Sequence, residues 1–207
     1  MTDREIGRRS ALRLIGTAPI AVAFTLGANE AAEAAEKAAT AVKAAAAGKA
    51  YVPKFFNPQE WKTVRILVDM IIPKDERSGS ATDAGVPEFM DYLMNDPTDT
   101  DLQRERRQTA MRGGLAWIDL ECQDRYDKRF LECTADQRAA VLDDIAWPQK
   151  AKPEFAHGVA FFNSFRDLTA SGFWSSKMGV EDLQYIGNVM VAEWKGCPPD
   201  ALKKLGL

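Results

Sequence analysis

Histidine is almost missing from this chain: His157 is the only one in 207 residues. A catalytic zinc site is usually built on several imidazoles, so that chemistry has little to work with here. Cysteine is scarce as well. Cys122, Cys133 and Cys197 form no Cys-x-x-Cys pair, no Cys-x-x-Cys-His haem-attachment run and no iron–sulfur-type cluster. Neither a G-x-G-x-x-G stretch nor a P-loop is present, which argues against a dinucleotide or nucleotide site. Basic excess is absent too. The formal net charge is −3, and residues 51–207 carry twenty Lys/Arg against twenty-five Asp/Glu. A mildly acidic body without a basic patch argues against nucleic acid as a partner. Beyond Ala28 no apolar run is long enough to cross a bilayer. Alternation of apolar and polar residues, the mark of a half-buried strand, is also lacking.

The carboxylates that are present lack the order that chemistry would need. Asp75, Glu76 and Asp83 share a polar stretch with Ser78 and Ser80 but not the spacing of a calcium loop. Adjacent Asp143 and Asp144 would point about 100° apart on a helix, so they do not form a dyad. His157 is conceivable as a general base. The sequence places no nucleophile or orienting acid for it, and a packed structural histidine is the simpler reading.

The amino terminus is distinctive. Arg8-Arg9-Ser10-Ala11-Leu12-Arg13 precedes fifteen uncharged, mostly apolar residues, Leu14 to Ala28. A basic stretch followed by a short apolar one reads as an export signal. It resembles the S-R-R-x-F-L-K pattern of the twin-arginine pathway, with Gly7 for Ser and Ala11 for Phe. Arg8, Arg9 and Leu12 carry that reading. Residues 1–28 are therefore expected to be a signal read by the twin-arginine translocase. Ala21-Val22-Ala23 and Ala32-Glu33-Ala34 both fit the small-x-small rule for cleavage. Residues 29–50 are alanine with scattered Glu and Lys. Glu33 and Lys37 stand at i,i+4, and the stretch reads as a helical linker with little to pack.

The body, residues 51–207, reads as one all-α domain. Asn57-Pro58-Gln59-Glu60 is a helix start, with Asn as N-cap, Pro in the first turn and Glu completing a capping box. Trp61, Val64, Leu67, Val68 and Ile71 follow at helical spacing, and Pro73 stops the run. Val86-Pro87-Glu88 opens a second helix that ends near Asp96-Pro97. Asp101 to about Leu131 is one long helix or two abutting ones, with Gly113-Gly114 as a candidate kink. Thr134-Ala135-Asp136-Gln137 is another capping box, for a helix ending at Trp147-Pro148. Pro153 to Ala170 gives a further helix, stopped at Ser171-Gly172. From Phe173 onward the chain reads as a long irregular tail rich in aromatic residues.

Two features of that tail invite a binding role. Phe173, Trp174, Tyr185 and Trp194 could close the core or anchor a partner, since Trp and Tyr dominate interface hot spots. Cys197, between Gly196 and Pro198, is either a free thiol or one half of an intermolecular disulfide. If one helix carries both Cys122 and Cys133, a rise of about 1.5 Å per residue separates them by roughly 16 Å, beyond disulfide reach.

Taken in order, several pieces of the body resemble the gluconate 2-dehydrogenase subunit 3 (small or gamma subunit) family. They are Phe55-Phe56-Asn57-Pro58-Gln59-Glu60, Val68-Asp69-Met70-Ile71-Ile72-Pro73, Asp83-Ala84-Gly85-Val86-Pro87-Glu88-Phe89-Met90-Asp91, Phe165-Arg166-Asp167-Leu168-Thr169, Gly172-Phe173, Tyr185-Ile186-Gly187-Asn188 and Trp194-Lys195-Gly196-Cys197-Pro198. The resemblance implies a non-catalytic subunit without a cofactor of its own. It implies a large partner that contains FAD, of the glucose-methanol-choline type, which the small subunit helps to mature and to export. In many such complexes a cytochrome c subunit takes the electrons, so haem c, or an iron–sulfur cluster, would sit elsewhere in the assembly. The expected location is periplasmic, with membrane association through the complex. The opposing hypothesis is a free-standing periplasmic enzyme or binding protein that uses His157 and nearby acids.

Overall fold

A computed structural model describes residues 27–185, 190, 193 and 196–206. Every regular element among them is helical. The α-helices are α1 (Ala28–Ala46), α2 (Pro58–Ile71), α3 (Val86–Met94), α4 (Asp101–Tyr126), α5 (Ala135–Ala146), α6 (Ala156–Trp174), α7 (Lys177–Asp182) and α8 (Pro199–Lys204). Single 3-10 turns at Phe130–Glu132 and Pro153–Phe155 precede α5 and α6.

Local chemistry starts these helices where the sequence says it should. The Asn57 side chain accepts from the Gln59 and Glu60 amides, both at 2.9 Å, and Glu60 returns a bond to the Asn57 amide. Such a cap contributes about 1 kcal/mol. Thr134 and Gln137 reciprocate in the same way at the start of α5. Thr100 and Gln103 form a third box at the start of α4.

Helix α6 lies at the centre and packs against α1 to α5 and α7. Its Phe161, Phe165, Leu168 and Phe173 are each 1% exposed, and they meet Phe89, Met90 and Leu93 of α3 and Met111 and Ile118 of α4 in the core. Burying one such ring contributes about 2 kcal/mol.

Tertiary packing changes four of the sequence-based expectations. Ser171-Gly172 does not stop α6, which runs on to Trp174. Gly172 is small because α3 presses on it: a Cβ there would lie 2.9 Å from Phe89 Cδ1. Helix α4 runs through Gly113-Gly114 as one continuous element, the first of the two alternatives that the sequence left open. Gly114 receives the Phe161 ring, whose Cδ2 would be 1.8 Å from an added Cβ. The segment after Ala170 is less irregular than expected, since it holds the last turn of α6 and the short helices α7 and α8.

The Ala-rich stretch is the third correction. Helix α1 does not peel away; Ala34 is fully buried and Ala38 is 4% exposed, against α3. Glu33 accepts from the Tyr92 hydroxyl at 2.7 Å. The fourth concerns the cysteines. Helix α4 ends at Tyr126, and Asp127 in the left-handed region (φ 55°) turns the chain back. The Phe130 amide donates to Asp119 Oδ1 at 3.0 Å and fixes the return. Cys122 and Cys133 therefore do not share a helix; both are buried, and their thiols are neighbours.

Candidate partner-docking surface

The end of α6 is built by short-range hydrogen bonds. Ser176 Oγ donates to the Phe173 carbonyl at 2.7 Å and accepts from the Gly179 amide at 3.1 Å. Ser176 is thus the N-cap of α7, and α7 folds back onto the last turn of α6. The loop between α2 and α3 supports it from the other side. Arg77 Nε lies 3.3 Å from Asp182 Oδ1, and an Arg77 guanidinium N–H also donates to the Asp182 carbonyl.

This arrangement divides the aromatic residues that the sequence grouped together. Phe173 is a core residue, 1% exposed, so it cannot be a docking anchor without unfolding the end of α6. Its neighbour Trp174 is 39% exposed and packs edge-on against Phe173, with ring centroids 4.9 Å apart. Tyr185 is 64% exposed. Leu183 and Met190 are exposed as well, aliphatic side chains that the aromatic pattern of the sequence does not reveal. Cys197 is exposed, beside Gly196 with its φ of +78°. Trp194 lies outside the described residues, as do Arg8, Arg9 and Leu12 of the signal. Trp174, Leu183 and Tyr185 flank α7 in the chain; another large exposed ring, Trp147, follows α5 with Lys150 above it.

Several acids of the body serve the backbone. Asp91 is fully buried on α3. Its Oδ2 accepts from Tyr51 Oη at 2.8 Å and the Lys54 amide at 2.9 Å. Its Oδ1 accepts from the Phe55 and Phe56 amides at 2.9 and 3.2 Å. One carboxylate thereby clamps the segment that leads into α2. Asp69 accepts from the Thr82 amide at 2.7 Å, and Asp83 from the Ser80 amide at 3.1 Å. Asp75 accepts from the Arg77 and Ser78 amides, and those bonds hold its carboxyl below the usual range. Asp144 pairs with Arg125 at 2.7 Å.

Glu88 is a buried acid of a different kind. Its Oε2 has no hydrogen-bond partner, and burial raises its pKa despite the opposing pull of its own backbone amide and Arg65. His157 is half-buried at the start of α6, and among the described residues no hydrogen bond orients its ring. No group of three His, Cys, Asp or Glu among the described residues could hold a metal ion. None of the described helices is long and apolar enough to cross a membrane.

The described chain is thus an all-α domain in which buried Asp91 fastens the segment leading into α2, and Trp174, Leu183 and Tyr185 are exposed next to one short helix in the chain. Residues 58–195 match the family described as Gluconate 2-dehydrogenase subunit 3, and the chain belongs to that family. No curated protein and no solved structure matches it.

Proposed function

We propose that the chain is the non-catalytic small subunit of a periplasmic FAD-dependent dehydrogenase of the glucose-methanol-choline type, acting on a sugar or polyol. The observation that carries this reading is the family match across residues 58–195. The exposed Trp174 and Tyr185 beside α7 support it, because an apolar surface of that kind suits a protein partner. In this reading the flavin belongs to the large subunit, and a cytochrome c subunit or an iron–sulfur cluster takes the electrons. The small subunit holds no flavin, haem or metal. It assists folding of the large subunit and carries it through the twin-arginine translocase on Arg8 and Arg9. Membrane association comes through the complex.

The test is co-expression with a candidate FAD-containing dehydrogenase of the glucose-methanol-choline type. The two should co-purify, and dehydrogenase activity should reach the periplasm. Replacing Arg8 and Arg9 by Lys should hold both proteins in the cytoplasm. Periplasmic activity in that variant, or a flavin or haem band that stays with the partner-free chain through gel filtration, overturns the reading.

A further inference from the structure

The sequence offers two small-x-small stretches for signal cleavage, Ala21-Val22-Ala23 and Ala32-Glu33-Ala34, and cannot choose between them. Tertiary contacts separate the two. The second lies inside α1 (Ala28–Ala46), and that helix is fastened to the body at three places. Ala34 and Ala38 face α3 at 0% and 4% exposure, in a buried or half-buried stripe that includes Ala31, Ala35, Ala41 and Val42. Gly85, the N-cap of α3, has φ +85°, and a Cβ on it would lie 2.7 Å from Val42 Cγ2. The contact is therefore close enough to require glycine on both steric and conformational grounds.

The other two fastenings are polar. Tyr92 Oη donates to Glu33 Oε1 at 2.7 Å. Arg107 of α4 is 5% exposed, and its guanidinium reaches Glu30 Oε1 at 3.2 Å, Asp99 Oδ2 at 3.2 Å and the Leu93 carbonyl at 3.1 Å. Cleavage after Ala34 would remove Glu30 and Glu33 together. A buried guanidinium would lose one of its two carboxylates, and leaving a buried charge underpaired is strongly unfavourable. The cut would also strip the buried Ala34 from the face of α3. A protease must further bind its substrate as an extended strand, whereas the backbone here is helical and packed.

We propose that α1 is a permanent part of the folded chain and that any removal of the signal falls before Gly27, so that Ala32-Glu33-Ala34 is not a processing site. The export half of this statement rests on the twin-arginine reading; the docking half does not.

Intact-mass and amino-terminal analysis of the chain recovered from periplasmic and cytoplasmic fractions tests it. Periplasmic chains should begin at or before Gly27. A periplasmic chain that begins at Ala35, or anywhere within 29–46, overturns the proposal. If every chain is cytoplasmic, the export reading fails, and limited proteolysis of the full chain then decides the docking half. Cuts should stop before Ala28, and a limit fragment that begins inside 29–46 overturns it. The variant Ala34→Glu, which drives a carboxylate into the contact, should admit cuts inside α1. Unchanged protection in that variant also overturns the proposal, because protection would then not come from docking.

Discussion

Gly179 sits against the last turn of α6 so closely that a Cβ built on it would lie 2.1 Å from the Phe173 carbonyl oxygen. The obstacle is backbone and cannot rotate away. Gly179→Ala must therefore push α7 off α6, and overpacking of this kind costs roughly 2 kcal/mol, or about 4–8 °C in Tm. Calorimetry should show the fall, and Trp174 fluorescence should shift because its surroundings are set by the same turn. A variant with unchanged Tm and emission would show that α7 does not rest on α6.

Neighbouring rings at the end of α6 should behave differently on truncation. Phe173→Ala empties a core site and should lower stability by about 3–5 kcal/mol. Trp174→Ala, at a half-exposed ring, should cost much less stability but weaken binding of the large subunit at least about tenfold. Trp194→Ala is expected to weaken binding in the same way. Denaturant melts paired with co-purification separate these effects. Should Cys197 bridge to the partner, a non-reducing gel will show a band at the combined mass that reduction abolishes. Absence of that band together with undiminished co-purification of both Trp variants would remove the docking surface proposed here.

Glu88 should make stability depend on pH. Its carboxyl holds a proton more tightly in the folded chain than in the unfolded one, because burial disfavours the charge. Unfolding therefore releases a proton above the ordinary carboxylate range, and stability falls as pH rises through that window. Glu88→Gln removes the loss. Urea titrations should show the variant gaining on the native chain more at pH 7 than at pH 4. The opposite order would mean that Arg65 holds Glu88 ionised.

Asp91→Ala should be among the most damaging surface-neutral changes. It leaves the buried Phe55 and Phe56 amides, the Lys54 amide and the Tyr51 hydroxyl without their acceptor. Stranding that many donors costs about 3–5 kcal/mol. Asp91→Asn keeps one acceptor oxygen and should fall between. Chemical denaturation of the three chains checks the order.

Cysteine reactivity should divide one against two. Burial first, and then the neighbouring Cys133, push the Cys122 thiol well above its ordinary value, which disfavours the reactive thiolate. Native alkylation with iodoacetamide should add one label, at the exposed Cys197, and urea should release the other two thiols. A second label taken up without denaturant would contradict the buried pair.

Much of this architecture is written in short stretches of chain. The helix starts at Asn57 and Thr134 were legible because a cap is satisfied within three residues of itself, whatever the rest of the chain does. Helical spacing in Val64, Leu67 and Val68 was legible for a similar reason, and all three are buried. The all-α class follows from those local signals; the family came from the resemblance of ordered motifs, and residues 58–195 match it. The roles of the glycines did not. Gly114 and Gly172 look like breakers when only neighbours in sequence are considered, yet each is small because a phenylalanine from another helix needs its space. Phe173 and Trp174 are adjacent in sequence; rotation about the axis of α6 sends one ring into the core and leaves the other near water. The neighbouring Cys122 and Cys133 depend on a turn at Asp127, and the docking of an alanine-rich helix depends on Gly85, Tyr92 and Arg107, none of them near it in the chain. Sequence alone determined what forms locally. Which face each helix buries, and which of its side chains remains for a partner, was decided by contacts that exist only after the chain has folded.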